Sequence, residues 1–473
     1  MVPPDEGLAS DRRKHEAAGP PATATAAANL ARLRAQQNRF VPRMMRLCAA
    51  AHPYYRELLR KLGLGPQDFQ AVEDLRKLPL LPKQDYIRNP GMFRLELGDS
   101  EELTLEETTL ADVIYTAGST GKPAPFYDTV HDRFARIHLM KRSAEIAGIR
   151  PGDTVMNLFP LTSVPHQGFL SATWGAMAVG SKLLSGLTGR PYPDFRVHNR
   201  MDDSIGAIER EKVTVLWGIT SYVRRLIMRA QELGKDFRSA RLAMVMGEPC
   251  PAGMREDIRS RLISLGSKNP AINNGYGATE MIGPANECAE GGGRHIPAPE
   301  QFYFEVIERE SCAPVPDGEK GMLVMSHLNR RGTVLLRYVM GDVVAMTHET
   351  CPHCGRREPR FLGDPFRVDG LVKVKGTLIN PQPLNEELTR LLSQGVAEYQ
   401  VVITREDPAD KFSPDAVLLR VACAAEDRER IAREAVALIS RVAEIVPGIE
   451  FLAADGFSEI AGDYKFKRFI DER

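Results

Sequence analysis

Tyr115-Thr116-Ala117-Gly118-Ser119-Thr120-Gly121-Lys122-Pro123 packs hydroxyls, glycines and one lysine into nine residues. Glycines let a backbone approach an anion closely, Ser and Thr hydroxyls donate to phosphoryl oxygens, and Lys122 adds a compact positive charge. The composition suits a phosphate cradle, and the competing reading is a Gly/Ser/Thr turn between strands. A Walker-type loop is excluded by spacing. It needs four residues between its first glycine and its Gly-Lys pair, followed by Ser or Thr, whereas here two residues separate Gly118 from Gly121 and Pro123 follows the lysine. Pro123 disfavours helical geometry at Lys122, so the loop is expected to lead into extended chain, from Ala124 to Tyr127.

The rest of the chain decides between these readings. Its 473 residues suffice for two or three domains, and 62 basic residues balance 62 acidic ones. This balance gives no global reason to expect nucleic acid or an anionic membrane as partner, so anion binding must be local. Seven irregularly spread cysteines do not resemble a disulfide framework, and a reducing, cytoplasmic location is expected. Arg12-Arg13-Lys14 precedes an Ala/Pro/Thr-rich run, but Pro20, Pro21 and the threonines make that run a poor export signal. Residues 1–28 are expected to be a disordered tail. No window approaches the ~18 uninterrupted apolar residues that would span a membrane.

From Asn29 to Leu62 apolar residues recur at helical spacing until Gly63 stops them, and Leu75 to Tyr86, with Pro79 and Pro82, reads as an extended connector. Helical and strand patterns then alternate. Helices are expected over Arg133–Gly148, Gly168–Val179, Ser204–Glu211, Ser221–Gly234 and Ala252–Leu265, and strands over Thr154–Leu158, Val213–Trp217 and Leu242–Met246. Such alternation predicts an α/β fold with a mostly parallel sheet, in which ligands sit beyond the carboxyl ends of strands. Gly247-Glu248-Pro249 and Asn273 to Glu280 fall at such ends. From Gln301 to Met346 the pattern changes to short strands of a small β subdomain, and from about Val368 a compact α+β unit follows.

Set in order, YTAGSTGKP, NNGYGATE, RYVMGD, FRVDG with VKVKG, and DYKFKRFID resemble the motif series of the adenylate-forming superfamily of acyl-CoA synthetases and adenylation domains. The phosphate loop comes early, ECAE follows GYGATEMIGPAN, and CPHCGR precedes the hinge motif, which is most similar to the phenylacetate–CoA ligase branch. The resemblance implies a large domain over 29–366 and a small mobile domain over 367–473. It implies an ATP- and Mg²⁺-dependent enzyme that joins a carboxylic acid, expected to be aromatic, to AMP with release of pyrophosphate. The acyl group then goes to CoA, or, in other members, to an amine or a carrier protein. A non-catalytic nucleotide-binding homologue is the alternative from another class, and the resemblance leaves room for a homodimer.

Carried over by position, the resemblance assigns Thr116, Ser119, Thr120, Gly121 and Lys122 to the β- and γ-phosphates. Gly247, Glu248, Pro249, Asn274, Gly275, Gly277 and Thr279 fall to the nucleotide site, with Tyr276 stacked on adenine. Glu280 would ligate Mg²⁺, and Asp342 would accept from both ribose hydroxyls. Arg367 and Asp369 match the hinge, with Phe366 in place of the family's glycine. Lys465 would meet the charge developing between carboxylate and α-phosphate, with Lys467 as the alternative because Tyr464 replaces the usual glycine. Phosphoryl-type transfer of this kind needs positioning and charge neutralisation more than a nucleophilic side chain, and no GxSxG elbow is found.

Two further features stand beside these motifs. Cys351-Pro352-His353-Cys354 has the spacing of a zinc knuckle, and Cys250, Cys288, His295 and His353 are the candidates to complete four ligands, with free thiols or a redox pair as alternatives. His166, Trp217, Gly218, Met246 and Gly275 are expected to line the acyl pocket.

Overall fold

A computed structural model of the chain describes residues 26–98, 103–116, 123–161, 167–188, 199–367, 372–374, 377–407, 409–410, 412–443, 445–453, 456–457 and 466–473. Three helices open it: α1 (Ala26–Gln37), α2 (Val41–Ala51) and α3 (Pro53–Leu62). Local chemistry sets the ends of α3. The His52 side chain accepts from the Tyr55 N–H, Pro53 occupies the first turn where no donor is needed, and Gly63 at φ 66° closes the helix. The segment expected to be extended instead forms a 3₁₀ turn, Val72–Lys77, and the short helix α4 (Lys83–Arg88). Asp74 Oδ2 accepts the Gln70 and Ala71 amides and so caps the first of these. Helix α5 (Leu105–Thr108) follows, and strands β1 (Leu110–Tyr115) and β2 (Pro125–Thr129) pair antiparallel around the hydroxyl- and glycine-rich loop.

Helix α6 (Val130–Ile146) leads into the alternating region: β3 (Thr154–Asn157), α7 (Gln167–Val179), β4 (Lys182–Ser185), α8 (Met201–Arg210), β5 (Val215–Ile219), α9 (Thr220–Glu232), β6 (Leu242–Met246), α10 (Ala252–Ser264) and β7 (Ala271–Gly275). These five strands form a parallel sheet in the order β4-β3-β5-β6-β7. Strand alternation covers both faces. Val155, Val215, Trp217 and Met244 pack against Ala144, Ala172 and Ala176 of α6 and α7, whereas Met156, Leu216, Ala243 and Val245 share a cluster with α8, α9 and α10. The α/β class with a parallel sheet is therefore observed.

Strands β8 (Asn286–Glu287), β9 (Arg294–His295), β10 (Phe302–Ile307), β11 (Lys320–His327), β12 (Tyr338–Thr347) and β13 (Arg360–Arg367) form a six-stranded antiparallel sheet in the order β10-β11-β12-β13-β9-β8. Its apolar residues share a core with α2 and α3. A short hairpin, β14 (Val372–Val374) with β15 (Thr377–Ile379), precedes α11 (Pro381–Leu388). This helix does not stand out in the sequence because PQPLNEEL holds two prolines, yet Pro381 sits in its first turn and Asn380 Oδ1 caps it by accepting the Gln382 amide. The C-terminal sheet has the order β18-β17-β16-β19, from β16 (Val396–Arg405), β17 (Asp415–Cys423), β18 (Gly448–Phe451) and β19 (Phe469–Asp471), with α12 (Arg428–Ala443) packed on it. Leu384, Leu388, Leu391 and Leu392 continue the apolar cluster of α9 and α10, which seats this C-terminal unit on the parallel sheet's helices.

Candidate active site

The carboxyl ends of β6 and β7, the adjacent ends of β12 and β13, and α11 enclose a cleft of about 510 Å³. It is lined by Gly247, Glu248, Pro249, Asn274 to Gly277, Arg294, Asp342, Asp364, Arg367, the first turn of α11, Phe466 and Arg468. Of the residues singled out in the sequence, the structure thus brings together Gly247, Glu248, Pro249, Asn274, Gly275, Tyr276, Gly277, Asp342 and Arg367. Gly247, at φ 83°, turns the chain away from β6 in a conformation that favours glycine. Ser119, Thr120, Gly121, Lys122, His166, Asp369 and Lys465 lie outside the described residues.

Asp342 is the centre of one side of the cleft. Strand register places it opposite Arg367. Its Oδ2 accepts from the Tyr276 hydroxyl at 2.9 Å, and its Oδ1 faces Arg367 Nε at 3.2 Å. Burial raises the Asp342 carboxyl above the ordinary aspartate value, against the opposing pull of Arg367 and the Tyr276 hydrogen bond. The Tyr276 ring stands edge-on to Phe361, with centroids 5.6 Å apart. Arg367 also donates to the Met340 carbonyl at 3.0 Å.

Glu280 is 2% exposed and accepts from the Tyr338 hydroxyl at 2.9 Å. Lys83 Nζ, at the start of α4, lies 3.5 Å from the same Oε1. Lys83 and Tyr338 escaped the sequence reading. No periodicity or motif marks a lone lysine in a proline-rich connector, and only the folding of that connector into a helix brings it to Glu280. Arg294 and Asp364, an ion pair lining the cleft beside Asn274, were missed for the same reason.

Thr116 pairs with Ala124 beside the ends of β1 and β2. Its amide donates to the Ala124 carbonyl, and its hydroxyl accepts the Ala124 amide, both at 3.0 Å. Thr279, next to Glu280, is buried. The residues expected in the acyl pocket are placed more deeply than the sequence suggests. Trp217 is fully buried beneath α7, where a Cβ on Gly175 would come within 2.8 Å of its ring. Gly218 and Gly275 are required by packing, since a Cβ would meet Leu158 Cβ at 2.8 Å and Asn286 Oδ1 at 2.6 Å respectively. Met246 is 8% exposed at the end of β6.

At the far edge of the antiparallel sheet, Cys288, His295, Cys351 and Cys354 present ligand atoms that all lie within 4.8 Å of one another. The sheet explains the convergence: β9 carries His295, Cys288 directly follows β8, and the β12–β13 connection supplies the other two. Cys288 Sγ lies 3.7 Å from Cys351 Sγ, and Cys354 Sγ lies 3.5 Å from His295 Nε2. A tetrahedral zinc with ordinary Zn–S and Zn–N bonds requires edges of about 3.8 Å for S···S and about 3.6 Å for S···N, so this donor set fits the ion. Cys250 does not belong to it. It is fully buried in the apolar cluster of α9 and α10, whereas Cys288 and His295 complete the set.

The family model for AMP-binding enzymes matches residues 67–330. The chain belongs to this family of adenylate-forming enzymes. It is 29% identical over 388 residues to the phenylacetate-coenzyme A ligase of Thermus thermophilus, which covers 80% of each chain. It is 27% identical over 366 residues to the phenylacetate-coenzyme A ligase of Escherichia coli, covering 76% of this chain and 77% of that one. Among solved structures, a 2-hydroxyisobutyryl-CoA ligase in the postadenylation state, in complex with R3-HIB-AMP, matches with a TM-score of 0.75 and 23% identity over 95% of this chain and 90% of that one. Its complex with 2-HIB-AMP and CoA in the thioesterification state matches with a TM-score of 0.60 and 23% identity, over 93% and 90% of the two chains. Among the described residues no helix is long and apolar enough to cross a membrane.

Proposed function

We propose that the chain joins a carboxylic acid to AMP, releasing pyrophosphate from ATP, and then transfers the acyl group to the thiol of CoA. The observation that carries this reading is the Asp342 constellation: a buried carboxylate, flanked by Tyr276 and Arg367, at the mouth of a cleft between strand ends and the C-terminal unit. A carboxylate so placed can accept from two adjacent ribose hydroxyls, while Tyr276 and the Gly275–Gly277 backbone offer a surface for the base. Attack of the acid's carboxylate on the α-phosphorus expels pyrophosphate. What this chain supplies is alignment and countercharge, with Lys83 beside Glu280, the loop through Lys122 at the phosphates, and Lys465 at the reacting oxygens. Glu280 is the residue to hold Mg²⁺, which would neutralise phosphate charge when bound. Cys288, His295, Cys351 and Cys354 are the residues to hold a structural zinc behind the cleft wall, since His295 directly follows Arg294, which lines the cleft. An aromatic acid of the arylacetate type is the first choice of substrate, in keeping with the names of the relatives.

Pyrophosphate release from ATP, measured across a panel of aromatic and aliphatic acids with and without CoA, tests the assignment. An arylacetate is expected to stimulate release and to yield a thioester when CoA is added. Release without a CoA-dependent thioester would move the acceptor to an amine or carrier protein, and no release with any acid would refute the activity.

A further inference from the structure

A second set of polar contacts joins the C-terminal unit to the parallel-sheet helices, on the side of the cleft away from Asp342. The Arg224 side chain on α9 is 1% exposed. Its Nε donates to Asp257 Oδ2 of α10 at 2.6 Å, and its Nη1 donates across to the Ala397 carbonyl at 2.7 Å and to Glu398 Oε2 at 3.4 Å, both on β16. Glu398 Oε1 accepts from Arg468 Nη2 at 2.8 Å. The Arg468 guanidinium lies over the rings of Tyr399 and Phe466, 5.4 and 5.2 Å from their centroids. The backbone N–H of Phe466, the residue directly after Lys465, donates to Glu248 Oε1 at 2.8 Å, and the same Glu248 carboxylate is fixed by the Ser221 amide and hydroxyl at 2.9 and 3.0 Å.

Desolvated ion pairs of this kind contribute little net stability over apolar packing but strongly favour one geometry over others. The cluster is also incompletely satisfied: Arg224 Nη2, Arg225 Nε and Arg468 Nε are buried and have no partner among the described residues.

We propose that Glu398, by bridging Arg224 and Arg468, is a positioning residue that latches the C-terminal unit where the chain after Lys465 meets Glu248, and so favours adenylate formation. The proposal rests on the adenylating activity proposed above. The arrangement sets the residue directly after Lys465 against Glu248, and Lys465 is the lysine assigned above to the first half-reaction, so the latch bears on that step. Glu398 touches none of the residues assigned to nucleotide, metal or acid, so its loss bears on the arrangement and not on the chemistry.

Glu398→Gln keeps the size and one acceptor while removing the charge. With ATP and acid saturating, its rate of pyrophosphate release is expected to fall at least about fivefold, while thioester formation from supplied acyl-adenylate and CoA stays within about twofold of the parent. Amide hydrogen exchange of the 466–473 peptide should rise at least about fivefold, and Glu398→Asp should restore part of both effects. Equal loss in both half-reactions, or exchange of 466–473 unchanged from the parent, overturns the latch. If Glu398→Gln does not fold, Arg224→Lys, at a position outside the cleft lining, takes its place with the same expected and overturning results. A parent protein that makes no adenylate with any acid refutes the activity instead, and the exchange measurement still decides the latch.

Discussion

Replacing Asp342 by Asn tests the nucleotide pocket at its centre. The side chain keeps its size, and its Oδ1 can still accept the Tyr276 hydroxyl, so the free protein loses little. The Arg367 side chain is 53% exposed, and its lost ion pair is worth at most about 1 kcal/mol because solvent screens it. Against bound nucleotide the loss is larger. A carboxylate accepts from both ribose hydroxyls, whereas the amide offers one acceptor and turns a donor toward the other, which removes one charge-assisted hydrogen bond. Such a bond is worth about 1.5–3 kcal/mol, or about 10- to 150-fold in KM for ATP. The assay is pyrophosphate release with the acid saturating and ATP varied, then the reverse titration. A rise in KM for the acid with KM for ATP unchanged would refute the assignment of Asp342 to the ribose. The pH dependence follows with a definite sign. Burial raises the carboxyl's pKa, so protonation removes an acceptor at a pH above the usual aspartate range. In the parent, KM for ATP should climb as pH falls through that window, and in Asp342→Asn this limb should vanish. Because the native pKa is the higher one, the same group costs stability as pH rises from the unfolded-state value through the native one.

Lys465→Ala should abolish pyrophosphate release while leaving ATP binding by calorimetry intact, and Lys467→Ala, at an exposed position, should change the rate little; the reverse ranking would transfer the role to Lys467. Protein purified without chelator or metal-affinity tag should hold about one zinc per chain by metal analysis, and Cys288→Ser should lower that content together with Tm. A metal content of zero in the parent would remove the zinc. Asp128 accepts from Arg136 and Arg330 with no exposure of its own. Burial pushes its carboxyl up, but the two guanidiniums overcome this and hold it at about 2. Asp128→Asn should therefore cost about 3–5 kcal/mol in urea unfolding. The stabilisation from that carboxylate should be present above the unfolded-state value and be lost as pH falls toward 2.

The sequence and the structure agree where chemistry is local and part where it depends on closure in space. The parallel-sheet elements are legible because each strand is a short apolar run bounded by turn residues and each helix repeats on its own period. Leu242–Met246 carries both signals, and its strand is found with those bounds. Gly247 is legible because a glycine directly after a strand end has few other uses, and Asp342 is legible through its place in the RYVMGD motif. Lys83 is invisible by contrast, since its partner Glu280 lies far along the chain and nothing near it in sequence reports the pairing. The thiol cluster shows the boundary most clearly. Cys351 and Cys354 stand three residues apart and announce themselves, but the other two ligands come from strands whose adjacency is set by sheet order. Spacing alone could offer Cys250, Cys288, His295 or His353 on equal terms. The order β12-β13-β9-β8 decides among them, because it lays His295 beside Arg360 and leaves Cys250 behind another sheet. The latch is hidden from the sequence in the same way. Glu398 and Arg468 read as ordinary surface charges of a small α+β unit, and they acquire a role only when that unit is seated against Arg224.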